Sequence, residues 1–139
     1  MDKVILDTDI LSESLKRRNQ RVVSRAIAYL TVFGRYTIST ITVLEIVKGW
    51  HKLQREDKIQ EFFAQISVAE VLTMQLAEAE LAGRIYADLE RTGQPIGLAD
   101  AMIAAIAIQQ NLILVSGNLS HYQRIQTLGY NLKLDNWRI

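Results

Sequence analysis

The chain has 139 residues, a net charge of +1, 49% hydrophobic and 22% charged residues, which is enough for one sizeable core and too apolar for a disordered segment. With no cysteine, a disulfide scaffold, a thiolate nucleophile and a cysteine zinc site are all excluded. The longest apolar run, Ala101 to Ile108, is far short of a membrane span, and Asp2, Asp7 and Asp9 crowd an N-terminus unlike a secretory leader. The expectation is one domain over residues 1–139, cytoplasmic and without a membrane partner.

Val4-Ile5-Leu6 reads as a short strand ending at Asp7, followed by a helical turn over Ile10–Leu15. Arg21–Phe33 has helical spacing, with Val22, Ala26, Tyr29, Leu30 and Phe33 on one face. Tyr36–Ser39 is a strand candidate. Ile41–Leu53 is helical, with Val43, Leu44, Val47 and Trp50 as expected core. Ile59–Ile66 is a short helix and Val68–Leu72 a weaker strand. Gln75–Thr92 is the clearest helix, placing Leu76, Ala79, Ala82, Tyr86 and Leu89 inward. Leu98–Gln109 is another helix, with Met102, Ile103, Ile106 and Ala107 facing the core. Leu112–Ser116 is a strand entering a Ser-Gly-Asn turn, and Tyr130–Leu134 is an expected last edge strand. Alternating strands and helices predict an α/β fold: a mainly parallel, roughly five-stranded sheet with helices on both faces. In such sheets ligands bind beyond the carboxyl ends of the strands.

Three acids fall at those ends. Asp7 follows the first strand directly; it caps the next helix or, with Asp9 the better cap candidate, serves a site. Glu45 lies one turn into the helix after the second strand, among apolar neighbours, with Lys48 as a helical ion-pair partner if its role is structural. Asp100 opens the helix after Gly97, where it complements the helix dipole, and is the only acid between Glu90 and Asp135. A parallel sheet gathers these ends, and clustered carboxylates repel unless one is protonated or a cation binds. Hard oxygen donors without cysteine select Mg²⁺ or Mn²⁺, ions that serve phosphoryl chemistry.

The net charge hides an asymmetry. No acid occurs from Ser14 through Leu44, a stretch holding Lys16, Arg17, Arg18, Arg21, Arg25 and Arg35, while the rest of the chain carries −5. A basic block beside an acidic remainder suggests a polyanion footprint; the alternative is a solvated helix face.

Four segments resemble the PIN-domain family and its VapC toxin nucleases. They are Val4-Ile5-Leu6-Asp7-Thr8-Asp9-Ile10-Leu11, Ile38-Ser39-Thr40-Ile41-Thr42-Val43-Leu44-Glu45, Gly97-Leu98-Ala99-Asp100-Ala101-Met102-Ile103-Ala104 and Leu114-Val115-Ser116-Gly117-Asn118. The resemblance implies a three-layer PIN-like α/β/α sandwich and a metal-dependent endoribonuclease that leaves 5′-phosphate and 3′-hydroxyl ends. The family's three acidic metal positions match Asp7, Glu45 and Asp100, and its Ser/Thr-x-Asn element matches Ser116 and Asn118. The implied partners are a cognate antitoxin, RNA and a second copy in a homodimer. Thr42, one turn before Glu45, is placed to orient it, and Lys16, Arg17, Arg18, Arg21 and Arg25 to hold the RNA backbone. Many members carry a further acid at or soon after Asn118, followed by an aromatic; here His121-Tyr122 has no acid, so a second fully ligated metal is not implied. His51 is given no site role.

Two rival readings stand beside this one. Asp7-Thr8-Asp9 also resembles the first motif of haloacid-dehalogenase-type phosphotransferases, in which Asp7 would be a covalent nucleophile. A catalytically degenerate PIN fold kept as an interaction module is the other.

Overall fold

The β-branched residues of Val4–Leu6 form β1, and Ile113–Val115 form β4 beside it in parallel register, with Val4 opposite Ile113 and Leu6 opposite Val115. The structure is a computed structural model describing residues 1–139. Between these strands run α1 (Thr8–Lys16), α2 (Gln20–Phe33), β2 (Thr37–Ser39), α3 (Thr40–Lys52), α4 (Glu56–Gln65), β3 (Glu70–Leu72), α5 (Leu76–Arg91) and α6 (Leu98–Gln109). After β4 come α7 (Leu119–Thr127) and β5 (Lys133–Asp135). All strand pairs are parallel, as expected of strands joined by helical crossovers.

The five strands split into two hydrogen-bonded ladders, β1-β4-β5 and β2-β3, with β1 and β2 as neighbours across the seam. Each strand has only three residues, so few backbone pairs are available to close it.

Side-chain alternation along the strands makes the three layers. Ile5 and Leu114 face one core with α5, α6 and α7, whereas Val4, Leu6 and Val115 face a second core with α1, α2, α4 and Trp137. Helix α6 is buried nearly all round: Ala101 and Ile103 through Ala107 have no exposed surface, and its alanines let α5 approach closely. This packing fixes the first turn of α6, and with it Asp100, against the strand ends. No helix is long and apolar enough to cross a membrane.

Several expectations shift. Leu76 and Leu44 are exposed; α5 buries Glu78, Ala82, Ile85 and Leu89, and α3 buries Ile41 and Thr42. Gln110 Nε2 donates to the buried Glu78 carboxylate at 3.2 Å, so the polar residue is satisfied where the apolar one was expected. Helix α7 follows the Ser-Gly-Asn turn, in a stretch to which the sequence assigns no element.

Candidate active site

Asp7 ends β1 and is itself the N-cap of α1, its Oδ1 accepting from the Thr8 amide at 2.9 Å. This corrects the assignment of the cap to Asp9, because α1 begins two residues earlier than its first apolar residue. Asp7 is 5% exposed, and its Oδ2 accepts from Ser116 Oγ at 2.8 Å and from the Tyr122 hydroxyl at 3.0 Å. Burial raises its carboxyl from 3.8 to about 7, helped by the charges of Asp9 and Asp100 and opposed by the Ser116 and Thr8 hydrogen bonds.

Asp100, in the first turn of α6, places Oδ1 at 3.2 Å from the same Tyr122 hydroxyl and Oδ2 at 3.8 Å from His121 Nδ1. Tyr122 is fully buried, and burial together with the two carboxylates drives its phenol well above its ordinary range, so it remains a donor. A phenol has one proton for two acceptors.

Glu45 is half-buried on α3, its Oε1 accepting from Thr8 Oγ1 at 2.6 Å. Its partner is neither Lys48 nor Thr42. Thr42 is buried and meets Thr8 instead, with 3.0 Å between the two hydroxyls, so Thr42 acts on Glu45 only through Thr8. Ser39 caps α3 by accepting from the Thr42 amide at 3.2 Å.

Ser116, just past β4, donates to Asp7 and accepts from the Asn118 amide at 2.9 Å, which shapes the turn. The Asn118 side chain pairs with His121 Nδ1 at 2.8 Å. Asp9 accepts from the amides of Ile10 at 2.7 Å and Gly117 at 3.0 Å and makes no hydrogen bond to Asp7.

The structure thus brings Asp7, Asp100, Ser116 and Tyr122 together, and ties Glu45 to them through Thr8. No three His, Cys, Asp or Glu side chains stand close enough to form a ready-made metal cage. Burial chiefly lifts Asp7, with the charges of Asp9 and Asp100 adding to it; a divalent cation would offset that cost of charge, and the donors are hard oxygens. The residues fit a cation on Asp7 and Asp100, with Glu45 linked to them through the Thr8 hydroxyl.

The basic block divides. Lys16 and Arg18 line a groove of about 360 Å³ with Trp50, Lys58 and Phe62, and the Lys16 ammonium sits 5.3 Å from the Trp50 ring. Lys16 ends α1, about 13 Å along the helix from Asp7. Arg17 closes α1 in the left-handed conformation, Arg21 is exposed, and Arg25 pairs with Asp135 at 2.8 Å, away from that groove. The sequence reading missed Thr8, Tyr122 and Arg138; only the aromatic after His121 gave a signal for one of them.

Residues 4–125 match the PIN domain family. The chain is 33% identical to Ribonuclease VapC2 of Haemophilus influenzae, with 99% of each covered. It is 31% identical to the tRNA(fMet)-specific endonuclease VapC of Shigella flexneri, again over 99% of each. Among solved structures, it resembles a chain of the DNA-bound VapBC complex of Salmonella typhimurium, at a TM-score of 0.81 and 31% identity over 99% of both chains. The chain belongs to the PIN-domain family and, within it, to the VapC ribonucleases.

Proposed function

We propose that this chain is the toxin of a type II toxin–antitoxin pair, an endoribonuclease that hydrolyses RNA phosphodiester bonds at the Asp7–Asp100 end of the sheet. The observation that carries the reading is the buried Asp7 sharing the Tyr122 hydroxyl with Asp100 at the carboxyl ends of the strands. In parallel α/β sheets, that is the end at which ligands bind.

Asp7 and Asp100 would hold Mg²⁺ or Mn²⁺, with Glu45 as a further donor. The cation supplies positive charge that polarises the phosphate and acidifies water. Ser116 and the Thr8 amide fix both oxygens of Asp7, and Thr8 Oγ1 aims Glu45. Asn118, paired with His121, offers amide hydrogen-bonding capacity at the rim. Lys16 and Arg18 draw the RNA backbone along the groove beside α1. The partners are RNA, a cognate antitoxin and a second copy in a homodimer, in the cytoplasm; VapBC complexes are the form in which the similar Salmonella chain was crystallised.

A second reading, a PIN fold retained as a non-catalytic interaction module, is favoured by the lack of a ready-made three-ligand cage. The two separate by incubating the purified chain with RNA, with and without Mn²⁺. The nuclease reading expects Mn²⁺-dependent cuts whose 5′ ends carry phosphate and can be ligated directly. Intact RNA, from a chain that still binds its antitoxin, would establish the interaction module instead.

A further inference from the structure

The Arg138 guanidinium lies beside the candidate active site, 125 residues away from its main partner. Its Nε donates to Glu13 Oε2 at 3.1 Å, and its Nη2 to the other oxygen of the same carboxylate. Nη2 also stands 3.5 Å from Asp9 Oδ2. That same Asp9 oxygen accepts from the Gly117 amide at 3.0 Å.

The guanidinium also lies directly over Gly117, so that a β-carbon there would run into it. The glycine is needed for this close approach, since its φ is not among the positive ones. Gly117 sits between Ser116, which donates to Asp7, and Asn118, whose amide donates to Ser116. The arginine is itself anchored: its amide donates to Asn136 Oδ1 at 2.9 Å, and the preceding Trp137 is buried against Tyr29.

From this we infer that Arg138 is a positioning residue of the active site. It clamps Asp9 and Glu13 of α1 against the Ser116–Asn118 turn and thereby holds Ser116 in place on Asp7. A planar guanidinium suits this task, because two parallel hydrogen bonds to Glu13 fix the orientation of the face that covers Gly117. An ammonium supplies charge but no such face. Arg138 reaches substrate through none of these contacts; it acts on the turn.

The turnover arm of the test rests on the ribonuclease reading; the exchange arm does not. Kinetics on a fluorogenic RNA with Mn²⁺, and hydrogen exchange at the Gly117 amide, are measured for the wild-type chain, Arg138→Ala, Arg138→Lys and Gly117→Ala. Arg138→Ala is expected to lower kcat about tenfold at an unchanged KM and to speed Gly117 exchange about tenfold, leaving Leu114 in β4 as protected as before. Arg138→Lys restores less than half of the lost kcat. Gly117→Ala, which pushes the guanidinium away without removing charge, gives the same loss of kcat, and the double variant loses no more than either. Wild-type kcat and Gly117 exchange in Arg138→Ala, even with a lowered Tm, would make the arginine a structural ion pair only. A rise in KM at constant kcat would make it an RNA contact. A wild-type chain that cuts no RNA overturns the ribonuclease reading, while the Gly117 exchange still decides whether the clamp exists. Should Arg138→Ala unfold, Arg138→Lys and Gly117→Ala decide in the same way.

Discussion

The Tyr122 hydroxyl donates to Asp7 Oδ2 at 3.0 Å across 115 residues of sequence. It joins the end of β1 to α7, and its second acceptor, Asp100 at 3.2 Å, adds α6. One buried phenol therefore spaces the two acids on which the proposed chemistry depends.

Tyr122→Phe keeps the ring and removes the donor, leaving both carboxylates short of a partner. Without metal, the variant is expected to lose about 1–3 kcal/mol of stability, read as a lower urea midpoint. With Mn²⁺ the penalty should shrink, because the cation takes over the carboxylates. An equal penalty with and without Mn²⁺ would mean that the hydroxyl and the cation do not share this site.

The position of Asp7 at about 7 in the folded chain, against an ordinary 3.8, has a defined sign. Between those values the folded state holds a proton that the unfolded state has released, so stability falls as pH rises from about 4 to about 7. Asp7 alone accounts for a decline of about 4 kcal/mol over that window in the metal-free chain. Urea titrations at several pH values should show this slope, flattened in Asp7→Asn. In the same window, binding of Mn²⁺ at pH 6 should release close to one proton and at pH 8 almost none, measured by calorimetry in buffers of different ionisation enthalpy. Pairs of titrations that agree in every buffer at pH 6 would contradict the placement of the cation on Asp7.

Much of this site was legible in the sequence, and the gaps have physical causes. Asp7 and Asp100 could be located because a parallel sheet converges the ends of its strands, and Leu98–Gln109 was bounded correctly as α6. Tyr122 was not, because α7 has only Leu119, Tyr122, Ile125 and little else apolar to mark a face. Leu76 and Leu44 were placed inward because periodicity fixes the spacing of a helical stripe and not which neighbouring stripe meets the core. The cap went to Asp9 because apolar residues mark a helix only from Ile10, while the backbone turns at Thr8. Arg138 lies in irregular chain after β5, where no periodicity announces a contact with α1.

Thr8 separates two accounts of Glu45. Thr8→Val preserves shape and removes the 2.6 Å hydrogen bond to Glu45. A loss of roughly tenfold in kcat, equivalent to about 1.4 kcal/mol, is expected. Thr42→Val, one hydroxyl further out, should cost less. A larger loss from Thr42→Val than from Thr8→Val would restore the direct role that the sequence suggested for Thr42.

The division of the basic block is open to a salt titration. Replacing Lys16 and Arg18 by Gln should weaken single-stranded RNA binding about equally for different sequences and flatten the log–log salt slope by roughly 0.7 per lost contact. Arg25→Gln loses its pair with Asp135 and should leave the slope unchanged. If Arg25→Gln flattens the slope and the Lys16/Arg18 variant does not, the backbone follows the α2 face and not the groove beside Trp50.

The most direct test of the central claim is the Mn²⁺-dependent RNA cleavage rate of Asp7→Asn, with its fold verified by circular dichroism. Asparagine keeps the size and the acceptor for the Thr8 amide while removing the charge. The account expects the rate to fall by roughly 10²–10³-fold or more, the range seen when a single electrostatic group of an active site is lost. A folded Asp7→Asn chain that cleaves RNA at the wild-type rate would contradict it.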